Sequence, residues 1–159
     1  IVEQYGGSSA LNYVEDYPAP GPLLAGHILV RNAFAGINYI DVYQTSGVYP
    51  VDLPAVLGRE GAGEVIAVAA DVTDFKVGDR VAFLSANSYA ELVNVNSTYC
   101  IRLPEDIPFE TGASIMLQGM TAVYLTHRSY AVRKGDFVLV TAAAGGTGGI
   151  ITQISSMLG

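Results

Sequence analysis

The stretch Val138-Leu139-Val140-Thr141-Ala142-Ala143-Ala144-Gly145-Gly146-Thr147-Gly148-Gly149 constrains the fold more than any other part of the chain. A continuous apolar run such as residues 137–141 suits a strand buried on both faces, as in a parallel sheet. It leads into clustered glycines and then, over residues 148–158, into a helical pattern. Strand, tight glycine turn and helix in that order form a unit whose backbone can approach a pyrophosphate closely. The helix N-terminus there offers free N–H groups and a positive dipole end. The usual glycine spacing is incomplete, with Ala143 in the first position and Gly145 and Gly148 in the second and third. A ligand-free strand–helix turn accounts for the same residues. Residues 137–158 carry no charge and are long enough to cross a membrane. The glycines at 145, 146, 148 and 149 argue against that and for a turn.

Upstream the pattern is different. Residues 1–4 and 11–17 read as short strands around Gly6-Gly7-Ser8-Ser9, and Pro18, Pro20 and Pro22 make an extended loop. Residues 27–34 alternate as a half-buried strand. Residues 38–46 read as a short helix stopped by Gly47. Residues 60–69, 81–84, 88–95 and 100–103 read as further strands, with turn signals at the spacing of a barrel or sandwich. Helical character begins at residues 109–117 and 120–128, where Met120, Val123, Tyr124 and His127 share one face. A change of style near residues 117–130 predicts a strand-rich domain over 1–125 and a second unit over 126–159.

The formal net charge of −7 opposes a nucleic-acid partner, which needs clustered Lys and Arg. A single cysteine, Cys100, excludes a disulfide framework and a multi-cysteine zinc site. It fits a reducing, cytoplasmic setting. No secretory signal is visible. Residues 137–159 are too few for a complete dinucleotide domain.

Four stretches occur in an order that points to a family. They are Gly36-Ile37-Asn38-Tyr39-Ile40-Asp41 with Ser46-Gly47-Val48-Tyr49-Pro50; Leu57-Gly58-Arg59-Glu60-Gly61-Ala62-Gly63 with Val77-Gly78-Asp79-Arg80-Val81; Gln118-Gly119-Met120-Thr121-Ala122; and Ala142-Ala143-Ala144-Gly145-Gly146-Thr147-Gly148. In these the chain resembles the medium-chain dehydrogenase/reductase superfamily, and within it the quinone oxidoreductase (zeta-crystallin-like) branch. The resemblance implies an α+β chain: a GroES-like, partly open β-barrel followed by the first β-turn-α piece of an incomplete Rossmann domain. It implies NADPH as hydride donor, bound in the cleft between the two. It also implies quinones or related enones as acceptors and a homo-oligomer. A non-catalytic crystallin-like or RNA-binding relative is the alternative, and the acidity argues against RNA. Zinc members of the family place Cys where Asn38 stands and His where Arg59 stands. An amide and a guanidinium are poor zinc ligands, so no metal is expected. Thr147 and Gly149 depart from the apolar residues common at those places.

By the resemblance, Asn38 meets the nicotinamide and the acceptor, Tyr43 and Tyr49 line the acceptor pocket, and Thr121 lies on the nicotinamide side. Gly145, Gly146, Thr147 and Gly148 hold the pyrophosphate. Each has a plainer reading. Asn38 opens a helix and suits an N-cap. The tyrosines can be ordinary packing. Thr121 can bond back to a preceding helical carbonyl. Glu60 reads as structural, with Arg59 as its ion-pair neighbour. Asp41 reads as the solvated face of its helix, and Cys100 as a small buried hydrophobe. The 159 residues by themselves are expected to hold NADPH weakly or not at all, and to self-associate through the apolar surface of 137–158.

Overall fold

A computed structural model describes every residue from Ile1 to Gly159. The chain divides into two compact units, Ile1–Ser114 and Ile115–Gly159. The first is built on one open antiparallel sheet, with strands β1 (His27–Gly36), β2 (Glu60–Val68), β3 (Arg80–Leu84), β4 (Leu92–Asn96) and β5 (Cys100–Arg102). Their order across the sheet is β4-β1-β2-β3-β5. The central pair β1–β2 is registered Leu29 with Ala67 and Gly36 with Glu60, with irregularities between Leu29 and Val30 and between Asn32 and Phe34. Such bulges sharpen twist and let a sheet coil.

The alternation along β1 and β4 turns Ile28, Val30, Val93 and Val95 to one side. There they form a core with Val65, Val81 and Phe83. Each fully buried side chain of this kind contributes roughly 1.5–3 kcal/mol of transfer free energy. Glycines let the backbones close in: a Cβ on Gly63 would strike the Arg31 carbonyl. Arg80 ties the sheet to the next helix. Its guanidinium donates to the carbonyls of Pro104 at 2.6 Å and Ile107 at 2.7 Å, and lies 4.4 Å from the centre of the Phe109 ring.

Helix α1 (Tyr39–Ser46) follows β1, and Gly47 ends it in the left-handed region at φ 79°. Helix α2 (Phe109–Val123) runs straight on into a π-helical turn at Tyr124–Ser129. The two helices expected at 109–117 and 120–128 are therefore continuous. The face carrying Met120, Val123, Tyr124 and His127 is exposed, and Gly112, Ala113, Met116, Gly119, Ala122 and Thr126 are the buried positions. Helix α3 (Gly146–Leu158) follows the glycine turn.

Four expected strands are absent or shorter. In place of two strands, the first seventeen residues make a 3-10 turn at Gly7–Ala10 and isolated bridges of Val2 with Leu11 and with Ala55. Residues 88–91 form a loop before β4. Residues 137–140 pair with nothing, and Phe137 and Leu139 are fully exposed or nearly so. An apolar run becomes a strand only where a neighbour completes its ladder, and the second unit supplies no other strand. The β-turn-α piece thus has its turn and its helix. No helix is long and apolar enough to cross a membrane.

Candidate active site

Close packing at the end of β1 sets the position of Asn38. A Cβ on Gly36 would meet the Ala113 carbonyl and the Glu60 side chain. Glycine there lets the carboxylate lie against the backbone. Two residues on, Asn38 adopts φ −130° and ψ 151° as the N-cap of α1. Its side chain turns to Glu60: Nδ2 donates to Oε1 at 2.6 Å. Glu60 has no solvent exposure and Asn38 only 6%. The cap and the site reading of Asn38 are therefore compatible, because the backbone opens the helix while the amide is fixed by a buried carboxylate.

Asp41, one turn into α1, fastens the same corner from the other side. Its Oδ2 accepts from the Asn38 backbone N–H at 2.9 Å and from the Tyr89 hydroxyl at 2.7 Å. A carboxylate reaching back to the N-cap N–H is half of a capping box. Asp41 is buried, so its reading as a solvated face is corrected: i+3 from the cap points it inward under Tyr89. The Tyr89 hydroxyl is pushed well above its ordinary range, first by burial, then by the hydrogen bond and charge of Asp41 and the charge of Glu60. It stays protonated and donates. Arg59 is not the ion-pair partner of Glu60. The only ion pair among Lys, Arg and carboxylates joins Arg102 to Asp79. Arg59 lies in the bend just before β2, whereas Glu60 opens the strand and is fully buried.

The exposed face of α1 carries the tyrosines. Tyr43 and Tyr49 have ring centres 5.1 Å apart and planes tilted by 52°; Tyr39 meets Tyr43 edge-on, also at 5.1 Å. The Tyr49 N–H donates to the Tyr43 carbonyl at 3.1 Å, which brings the residue after Gly47 back onto the helix. Tyr43 and Tyr49 are 37% and 52% exposed, so they form an open aromatic face rather than core packing. Tyr39 was not singled out from the sequence, although its i, i+4 spacing from Tyr43 carries the signal. Tyr89 had none, being 48 positions from Asp41.

The second unit holds the other candidates. Thr121 Oγ1 donates to the Leu117 carbonyl at 2.7 Å, the back-bonded geometry of a mid-helix threonine. At the glycine turn Ala142 takes φ 50°, and its carbonyl accepts from Gly145 N–H at 2.9 Å. Gly145 is the N-cap of α3 and no side chain caps that end. The first intrahelical bond to the cap runs from Gly149 N–H to the Gly145 carbonyl at 2.7 Å. The N–H groups of Gly146, Thr147 and Gly148 therefore point out of the helix end. A Cβ on Gly148 would strike the Ala142 carbonyl and the Ala143 backbone, so glycine is needed for the turn to close. The Gln118 side chain lies against Gly146 at this end, and a helix N-terminus on a glycine turn fits a phosphate group.

No cluster of three or more His, Cys, Asp and Glu side chains could hold a metal ion. Cys100 is half-buried and its Sγ lies 3.7 Å from the Asn96 carbonyl. Burial pushes its thiol up to about 12.

The model of the alcohol dehydrogenase GroES-like domain matches residues 24–136. A quinone oxidoreductase of Pseudomonas aeruginosa is 45% identical over 159 residues, covering 98% of this chain and 48% of that protein. A probable quinone oxidoreductase of Schizosaccharomyces pombe is 42% identical over 156 residues, covering 96% of this chain and 46% of that protein. Among solved structures, the Escherichia coli quinone oxidoreductase complexed with NADPH superposes with a TM-score of 0.92 at 37% identity. That match covers 99% of this chain and 49% of the other. The chain spans about half the length of the curated relatives it matches.

Proposed function

This chain belongs to the alcohol dehydrogenase GroES-like domain family, in the quinone oxidoreductase branch of the medium-chain dehydrogenases and reductases, and on that premise we propose that the protein reduces quinones or related enones with NADPH. The division of labour follows the two domains read from the sequence. The strand-rich domain, taken as residues 1–125, holds the acceptor, and the start of the Rossmann domain, residues 126–159, holds the cofactor's phosphates. NADPH, when bound, supplies a hydride to the acceptor.

The chain's own residues bind, orient and screen. Gly145, Gly146, Thr147 and Gly148 present the N-terminal end of α3 to the pyrophosphate. Thr121 lies toward the nicotinamide; to bond a ligand its hydroxyl keeps the Leu117 carbonyl as acceptor and offers a lone pair. Asn38 orients acceptor and carboxamide, with its amide rotamer fixed by Glu60. Tyr43 and Tyr49 wall the acceptor, their rings against its flat face and their hydroxyls toward its oxygens. Positioning of this kind is where a protein contributes to cofactor-borne chemistry. No metal polarises the carbonyl in this scheme.

The observation that carries the reading is the locking of Asn38, the N-cap of the short helix that displays Tyr43 to solvent, to a fully buried carboxylate on β2. A cytoplasmic homo-oligomer goes with it. The 159 residues alone are proposed to be inactive, because they offer one helix end to a large cofactor. The test is NADPH oxidation by the full-length protein across a panel of quinones and enones. Tyr49→Ala is expected to raise KM for quinones about tenfold or more, the loss of an aromatic contact with part of its buried area. A quinone KM unchanged in Tyr49→Ala would remove the acceptor from this face.

A further inference from the structure

A cavity of about 500 Å³ lies within the first unit, and its lining includes neither Asn38, Tyr43 nor Tyr49. Leu57 and Leu92 contribute to its apolar wall. Two polar groups on its lining have no protein partner. Gln44, on the inward side of α1, is 5% exposed, and its side-chain amide makes no hydrogen bond within the protein. Arg59 is half-buried, and its guanidinium makes no ion pair or hydrogen bond within the protein.

The Gln44 amide and the Arg59 guanidinium spend no donor on the protein, so their N–H groups stay open to the cavity. An unpaired guanidinium is unexpected in a chain with 15 acidic and 8 basic residues, where carboxylate partners are plentiful. The arrangement becomes favourable when a ligand supplies oxygens. A guanidinium presents a planar fork that matches a carboxylate, and the Gln44 Nε2 can donate to an oxygen of the same ligand. The apolar wall suits a small hydrocarbon body. Asp52, also on the lining, is exposed, so its charge is screened by solvent.

We propose that this cavity is a binding site for a small organic carboxylate with an apolar body, held by Arg59 and Gln44 and separate from the acceptor face of Tyr43 and Tyr49. The inference goes beyond the reductase reading and does not depend on it.

Benzoate is the probe, titrated into the protein while side-chain amide and guanidinium NMR resonances are followed. Saturable shifts are expected for the Gln44 side-chain amide and the Arg59 Nε–H. Arg59→Met is expected to weaken binding about tenfold or more, the worth of a charge-assisted pair. Arg59→Lys keeps the charge without the fork, and is expected to fall between the two. Tyr49→Ala should leave benzoate affinity unchanged, and benzyl alcohol, which lacks the charge, should bind far more weakly. The proposal is overturned if benzyl alcohol binds as well as benzoate, or if no saturable shift occurs up to tens of millimolar. It also fails if Arg59→Lys and a folded Arg59→Met both bind like the wild type, or if Tyr49→Ala rather than Arg59→Met abolishes binding.

Discussion

Asn38 donates its amide to a carboxylate that has no contact with solvent, and that pairing has a stability consequence independent of any ligand. Hydrogen bonds to charged groups contribute about 1.5–3 kcal/mol, so Asn38→Ala should lower the unfolding free energy by that order. Urea denaturation measures it, and an unshifted midpoint would mean that Glu60 is stabilised by its other surroundings. Cys100 gives a second residue-scale prediction. Its thiol is raised from an ordinary 9.0 to about 12 by burial, so the folded state favours the protonated form. That preference stabilises the fold fully below pH 9 and is lost as the pH climbs toward 12. At pH 8 alkylation of Cys100 should run roughly a hundredfold or more slower in the native chain than in urea, because the thiolate is the nucleophile. Equal rates would show the thiol to be accessible and unperturbed. The pattern of glycines and Asn38 was readable in the sequence. The partners of Asn38 and Asp41 were not, because Glu60 and Tyr89 reach them across 22 and 48 positions. Hydrophobic periodicity says nothing about which polar groups meet over such separations.

At the scale of the element, α1 is fixed at both ends. Asn38 and Asp41 close its start, and Gly47 its finish, at φ 79° with a hydrogen bond from its N–H to the Gln44 carbonyl at 3.2 Å. A Cβ there would also lie 2.9 Å from the Tyr5 ring. Gly47→Ala therefore combines left-handed strain with a clash, and should cost about 1–2 kcal/mol or more. Thermal unfolding reads this, and a neutral Gly47→Ala would show that the turn relaxes. The stop at Gly47 and the strands at residues 27–36 and 60–68 were legible because local chemistry and tertiary packing agree there. Residues 137–140 were not, since an apolar run reports a preference while a strand needs a paired neighbour. The π-helical turn after α2 was equally hidden, because no residue type in Tyr124–Ser129 marks a change of helical pitch.

At the scale of the whole chain, the two units divide the candidate residues. Asn38, Tyr43 and Tyr49 belong to the first, and Thr121 with the Gly145–Gly148 turn to the second. The strand-rich architecture of the first unit followed from regularly spaced turn signals, and the family from four ordered motifs. Which acceptor the tyrosine face takes did not, because an open aromatic surface accepts many flat molecules. The proposed function has the full-length protein pass a hydride from NADPH to a quinone seated at Tyr43 and Tyr49. The most direct measurement is simultaneous spectrophotometry of NADPH and quinone with the full-length protein. Wild type is predicted to consume the two in equal amounts, and Tyr43→Ala/Tyr49→Ala to lose most of kcat/KM for the quinone while binding NADPH as the wild type does. Quinone reduction by the double variant at the wild-type rate, or no NADPH consumption by the wild type with any quinone or enone, would contradict it.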